Sequence, residues 1–101
     1  MSVSVERDRA SIVLSGEHEA YSADKLARNL TSLIAEGVSV TVDLRHAAFV
    51  DSTVVGVLIG AHRRAAADDL DFVLLLGPET GWPVRRLLEV TGLDAELDIV
   101  D

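Results

Sequence analysis

The segment Val40–Gly60, VTVDLRHAAFVDSTVVGVLIG, decides the fold and contains the main candidate site. Its start belongs to an apolar strand predicted over Val38–Leu44, and its end opens an apolar helix predicted from about Ser52 to Ala67. The small polar residues of Asp51–Thr53 stand at the junction between these two elements. A Ser or Asp at this place can cap the helix, and a hydroxyl fixed there beside a carboxylate can also be modified by a kinase.

Two strands and a helix are predicted before this segment. They are an edge strand around Val3–Val5, a strand over Ser11–Ser15, a loop over Glu17–Tyr21 and a helix from Ser22 to about Glu36. Alternation of apolar and polar residues indicates the edge strand, and Gly16 is expected to end the second strand. Ser22 is expected to cap the helix, and Gly37 is expected to close it.

A strand, a helix and a last strand are predicted after the segment. They are a nearly continuous apolar strand over Leu70–Leu76, a helix with Pro83 in its first turn that Gly92 closes, and a strand over Glu96–Val100. Trp82 is expected to pack as a staple at the helix start, with an exposed anchor for a partner as the alternative. The order β-β-α-β-α-β-α-β predicts one α/β domain over residues 1–101 with a mixed central sheet.

Composition excludes several classes of function. The 101 residues carry a net charge of −8, which disfavours binding to nucleic acid or to an anionic membrane. The chain has no cysteine, so disulfides, thiolate metal sites and a cysteine nucleophile are excluded. The longest apolar runs are too short to span a bilayer and the first residues are charged, which makes the cytoplasm the expected location.

The two candidate sites each have an ordinary structural interpretation. Helix capping is the common use of residues such as Asp51–Thr53, and phosphorylation of Ser52 is the functional alternative. Glu17–Glu19, which includes His18, is expected to be a solvated loop, with partner binding as the second interpretation and an enzyme site as the third. Val50 and Val54 stand where a hydrolase elbow has glycines, and the histidines lack metal-ligand spacing, so neither an enzyme nor a metal site is expected.

Three segments resemble the STAS domain, found in sulfate transporters and in bacterial anti-sigma-factor antagonists. They are SGEHEAYSADKL, VDLRHAAFVDSTVVGVLIG and VRRLLEVTGLDAELDIV, and together they cover most of the chain. The resemblance implies helices packed mainly on one face of the sheet. In the antagonist branch the residue directly after the strand-end Asp accepts a phosphoryl group, and by position this residue is Ser52.

The resemblance also implies a partner. It is a kinase-type anti-sigma factor, which itself holds ATP and Mg²⁺ and is bound by the unphosphorylated antagonist. The chain needs no cofactor of its own, and the residues expected to meet the partner are Glu17, Glu19, Asp51, Thr53 and Val54. A STAS interaction module without phosphorylation control is the alternative function.

The sequence departs from the family pattern at two places. Val54 stands where the family usually has Gly, so its side chain is expected to narrow access to Ser52 and to stabilise the helix slightly. The last predicted strand runs almost to Asp101, whereas many family members continue into another helix. Apolar surface left uncovered there is expected to meet a partner or a second copy, which would form a homodimer.

Overall fold

The computed structural model describes residues 1–18 and 20–101, with the backbone alone for residues 17, 18 and 20–22. The strands are β1 Ser2–Glu6, β2 Arg9–His18, β3 Ser39–Val50, β4 Phe72–Leu75 and β5 Asp98–Val100. The helices are α1 Ala20–Ala35, α2 Ser52–Ala67, α3 Trp82–Val90 and the short α4 Leu93–Glu96. The predicted order of elements is confirmed, with α4 as an addition before the last strand.

The five strands form one mixed sheet in the order β1-β2-β3-β4-β5. β1 is antiparallel to β2, and the other neighbours are parallel. Each parallel crossover moves one strand further in the same direction, so right-handed connections bring the long helices to one face of the sheet. The predicted α/β class, mixed sheet and one-sided helix layer are confirmed.

The core lies between this sheet and its helices. Ile12, Val42 and Leu74 are paired across β2, β3 and β4 and are completely buried. The next residue of β3, Asp43, has its side chain on the opposite face of the sheet. The largest fully buried side chains include Phe72, Leu14, Leu26, Leu30, Ile34, Leu44, Leu58 and Leu88. Aliphatic residues from every long helix and from the central strands therefore form one continuous core.

The start of the chain differs from the prediction around Gly16. β2 does not end there but continues to His18, with register shifts against β3 on either side of Gly16. A positive φ of 74° lets Gly16 bend the strand while its pairing with β3 continues. The predicted loop over 17–21 is therefore wrong for the described residues, and Ser22 lies inside α1 rather than at its start.

Several boundaries also change elsewhere in the chain. β3 extends to Val50 because its second half pairs with the extended end of β2, with Ser15 opposite His46 and His18 opposite Val50. Glu96 belongs to α4 rather than to the last strand. The predicted bounds of α2 are confirmed. The closure of α1 is confirmed too, since Gly37 N–H donates to Ile34 and Val38 N–H donates to Leu33, as in a Schellman motif.

Candidate functional site

The junction between β3 and α2 is capped by a single side chain. Asp51 has extended backbone angles and is the N-cap of α2, and its Oδ1 accepts a hydrogen bond from the Val54 N–H at 3.0 Å. The Asp51 carbonyl accepts the Val55 N–H at 3.1 Å. Such a side-chain cap stabilises a helix by about 1 kcal/mol. The capping role that the sequence left open between Ser and Asp therefore falls to Asp51.

Ser52 is free of this structural role. It is the first residue of α2 and is exposed, as is Thr53. Among the described residues, the Ser52 hydroxyl has no hydrogen-bond partner. The amino end of a helix carries partial positive charge and favours an anion. A phosphoryl group on Ser52 would therefore be compatible with the local fold.

Val54 requires a correction. Its side chain is completely buried. Val55, Leu58 and Ala61 of the same helix are buried as well. A side chain with no exposed surface can neither contact a partner in this conformation nor narrow the approach to Ser52. The positions 54, 58, 61 and 65 follow helical spacing, so the phase of the α2 sequence already assigns Val54 to the core.

The other expected partner contacts divide into two groups. Asp51 is half-buried and Thr53 is exposed, and both adjoin Ser52. Glu19 lies outside the described residues, and so does the side chain of Glu17. In the sheet, Glu17 is paired with Phe49 and His18 with Val50. The backbone of Glu17 therefore lies near the β3–α2 junction that carries Ser52.

A groove, here called the Ser52 groove, begins at this junction. It is lined by residues 49–52 and by Trp82, Pro83, Arg86, Leu87 and Val90 of α3, and it encloses about 450 Å³. Phe49, Trp82 and Val90 expose 40%, 71% and 65% of their surface. The staple expected for Trp82 is wrong, and its alternative as an exposed side chain describes the structure.

The exposure of Trp82 follows from how its loop docks on β3. The Gly81 N–H donates to the Ala47 carbonyl at 2.8 Å, and a Cβ on Gly81 would lie 2.2 Å from the Ala48 carbonyl oxygen. The buried Thr80 hydroxyl donates to the Leu44 carbonyl at 2.9 Å and accepts from Gly77 N–H at 3.0 Å. The backbone before α3 is therefore held against β3, and the Trp82 side chain points away from the core.

The cationic side chain of the groove is only weakly paired. Arg86 is the cationic residue of the lining, and its Nη1 donates to Glu89 one turn away at 3.3 Å in an exposed pair. Exposed helix pairs at i,i+3 or i,i+4 contribute only about 0.2–0.5 kcal/mol, so Arg86 can exchange partners easily. Asp51 adds a carboxylate at the opposite, serine-bearing side.

A tighter ion pair supports the loop before α3. Arg45 Nη2 donates to Oδ2 of the buried Asp43 at 2.8 Å, and Arg45 Nε donates to Oδ1 at 3.1 Å. The side-chain hydrogen bonds from Arg45 lower the pKa of Asp43 below its ordinary value, against the opposing effect of burial. The Arg45 side chain lies against Gly77, so this pair braces the start of the loop that carries Trp82.

Sequence reasoning missed most of the groove. Phe49, Arg86 and Val90 received no role, because they come from distant segments and are ordinary residues within their own elements. The available signal is Trp82, a large aromatic residue beside Pro83, for which the sequence allows an exposed anchor as the alternative.

Comparisons with known proteins agree with this fold. The family model described as "Mlab, STAS domain" matches residues 1–101. The anti-sigma-B factor antagonist of Listeria monocytogenes is 32% identical over 107 residues, which cover 98% of this chain and 90% of that protein. The chain therefore belongs to the STAS domain family, in its anti-sigma-factor antagonist branch. The Listeria innocua antagonist matches with the same identity and coverage.

Solved structures show the same architecture. A putative anti-sigma factor antagonist from Thermotoga maritima superposes with a TM-score of 0.83 at 19% identity, covering 99% of this chain and 85% of the other. The antagonist SpoIIAA in its unphosphorylated form gives 0.77 at 22% identity, covering 99% and 86%. Its phosphorylated form from Bacillus superposes with a TM-score of 0.77 at 21% identity, covering 99% of this chain and 90% of the other.

The helices of the described residues are all too short or too polar to span a membrane.

Proposed function

We propose that this chain is an anti-sigma factor antagonist that binds a kinase-type anti-sigma factor and is released from it when Ser52 is phosphorylated. The observation that carries the proposal is that Asp51 and Ser52 have different roles at the β3–α2 junction. Asp51 supplies the helix cap, which leaves the exposed Ser52 hydroxyl without a structural task. The curated relatives named as antagonists support the same function.

In the proposed transfer, the anti-sigma factor holds ATP and Mg²⁺, and this chain supplies only the acceptor. The Ser52 oxygen forms a bond to the γ-phosphorus while the bond to the departing ADP oxygen breaks. The hydroxyl proton leaves to a base of the partner. The chain itself has no catalytic role in this scheme, because Asp51 is engaged as the cap and the groove lining contains no histidine. A role in sigma-factor control implies that the protein acts in the cytoplasm.

Electrostatics can drive the release without refolding. A phosphoryl group adds a charge of about −1.5 to −2 directly beside Asp51. A partner carboxylate about 4 Å from it would cost roughly 4 kcal/mol per charge pair at an effective dielectric of 20, as an upper figure. Half of this exceeds the roughly 1.4 kcal/mol that corresponds to a tenfold loss of affinity.

Two Ser52 variants test the switch. Ser52→Ala is expected to bind the cognate anti-sigma factor constitutively, and Ser52→Asp is expected to bind it poorly, as measured by calorimetry. Thr53→Ala serves as the neighbouring control and should still accept phosphate. Equal affinities of the two Ser52 variants would refute the switch, as would phosphate mapped to Thr53 alone. Binding without any phosphorylation would identify the chain as an interaction module that is not controlled by phosphorylation.

A further inference from the structure

We infer that the Ser52 groove is the docking site of the anti-sigma factor, and that it receives an apolar side chain flanked by an acidic residue of that partner. This inference rests on the proposed function and names the surface and chemistry through which it acts. It starts from the distribution of exposed apolar residues. Among the described residues seven large apolar side chains are exposed, and three of them, Phe49, Trp82 and Val90, border this one groove.

The remaining exposed apolar residues lie elsewhere. Met1, Val3 and Val5 are at or beside β1, and Val100 is on β5, which are the two outer strands of the sheet. The groove is therefore a local concentration of apolar surface at the end of β3 rather than part of a general pattern. A concentration of exposed apolar residues that includes aromatic side chains is typical of a protein-binding surface.

The groove is also rigid where binding needs it to be. Gly81 is hydrogen-bonded to Ala47 and lies too close to Ala48 for any side chain, so the backbone at Trp82 is fixed before a partner arrives. An anchor that is already ordered loses less conformational entropy on binding. Trp82 is thus prepared to form the edge of a pocket for a partner side chain.

The charged residues of the groove indicate which group of the partner it binds. The chain carries a net charge of −8, yet the groove presents Arg86, whose exposed pair with Glu89 is weak. A partner carboxylate beside the apolar side chain would meet Arg86, which belongs to the groove lining. A second copy of this chain would bring another −8 to the contact and is disfavoured.

The presence of Ser52 in the groove lining indicates which protein docks there. Ser52 and Asp51 belong to the groove lining itself, so a protein that brings a phosphoryl donor to the Ser52 hydroxyl lies over the same groove. An apolar side chain seated between Phe49 and Trp82 would fix the distance between the donor and the hydroxyl. Docking and transfer would then share one surface.

Site-specific photo-crosslinking in the native host tests the inference. Benzoylphenylalanine is placed at position 82, at position 53 beside the acceptor, and at the exposed control position 68. Position 68 is the C-cap of α2, whose 16 residues separate it from Ser52 by about 24 Å. Crosslinks to a kinase-fold anti-sigma factor from positions 82 and 53 but not 68, identified by mass spectrometry, are expected.

Every other outcome overturns part of the scheme. Capture of the anti-sigma factor from 53 but not from 82 would remove the docking groove and leave the proposed function intact. Capture from neither position would remove both. Crosslinks at 82 to a second copy of this chain would make the groove a homodimer contact instead.

Matched variants then measure the contribution of the groove with the captured anti-sigma factor. Trp82→Ala is expected to weaken binding by about thirtyfold or more, as for an interface hot spot. Val90→Ala should weaken it by a smaller factor, whereas Val5→Ala on β1 should not, although both valines are more than half exposed. Equal effects of the two valine variants, or unchanged binding of Trp82→Ala, would contradict the assignment.

Discussion

The two strand-to-helix junctions at the end of the sheet are built in different ways. The β3–α2 junction is one residue long and is held by its own side chain, since Asp51 caps the helix that it precedes. The β4–α3 junction is a loop whose N-cap, Gly81, makes no side-chain hydrogen bond and is held by the β3 backbone. The first is determined by local sequence and the second by a distant strand. The Ser52 groove forms where they meet.

Val54→Gly is expected to have the largest effect, at the first junction. It deletes a completely buried side chain, worth about 2–3 kcal/mol, and places Gly inside a helix, which costs about 1 kcal/mol more. The free energy of unfolding should fall by about 3–4 kcal/mol, measured by circular dichroism in urea. The exposed neighbour variant Thr53→Gly should cost less than about 1 kcal/mol. Similar losses for both would mean that Val54 does not belong to the core.

Gly81→Ala is expected to break the second junction. The new Cβ would lie 2.2 Å from a backbone oxygen that cannot move aside easily, so the loop must shift and lose its hydrogen bond to Ala47. A loss of about 2–3 kcal/mol in unfolding free energy is expected. Gly60→Ala is the matched control, because its Cβ would meet nothing within 4 Å in α2, and it should stabilise the protein by up to about 1 kcal/mol. Unchanged stability of Gly81→Ala would show that the close contact is not maintained in solution.

Asp51→Ala and Ser52→Ala separate the helix cap from the proposed phosphoacceptor. Loss of the Asp51 cap should lower the unfolding free energy by about 1 kcal/mol. Ser52→Ala should change it by less than about 0.5 kcal/mol, because the Ser52 hydroxyl is exposed and unpaired among the described residues. Urea titrations of both variants provide the measurement. A comparable loss in Ser52→Ala would mean that Ser52 has a structural role after all.

Acid should weaken the brace beneath the second junction, with the smallest effect of the four. Arg45 lowers the pKa of Asp43, so the carboxylate stabilises the fold above its unfolded pKa of about 3.9, and this contribution is lost as pH falls through the lower folded pKa. The urea midpoint of Asp43→Asn should therefore fall less between about pH 5 and pH 2.5 than that of the wild type. Asp94→Asn, an exposed carboxylate of α4, is the control. Parallel midpoints for wild type and Asp43→Asn would contradict the assignment.

The same contrast explains what the sequence could and could not predict. The bounds of α2 were correct because a polar cap followed by an apolar run is a local signal. The staple predicted for Trp82 was wrong because its orientation depends on contacts of Gly81 with Ala47 and Ala48, which no local pattern contains. The second half of β3 was missed because its pairing with β2 continues past the bend at Gly16. Val54 was an avoidable error, since its helical phase was present in the sequence.

Trp82 is the single tryptophan of the chain, and 71% of its surface is exposed in the folded state. Its fluorescence should therefore change little on unfolding, because the indole exchanges one aqueous environment for another. Burial of the indole by an occupant of the groove should instead shift its emission to shorter wavelength. The protein thus carries an intrinsic optical probe that should be nearly silent to denaturation and should respond to a partner in the Ser52 groove.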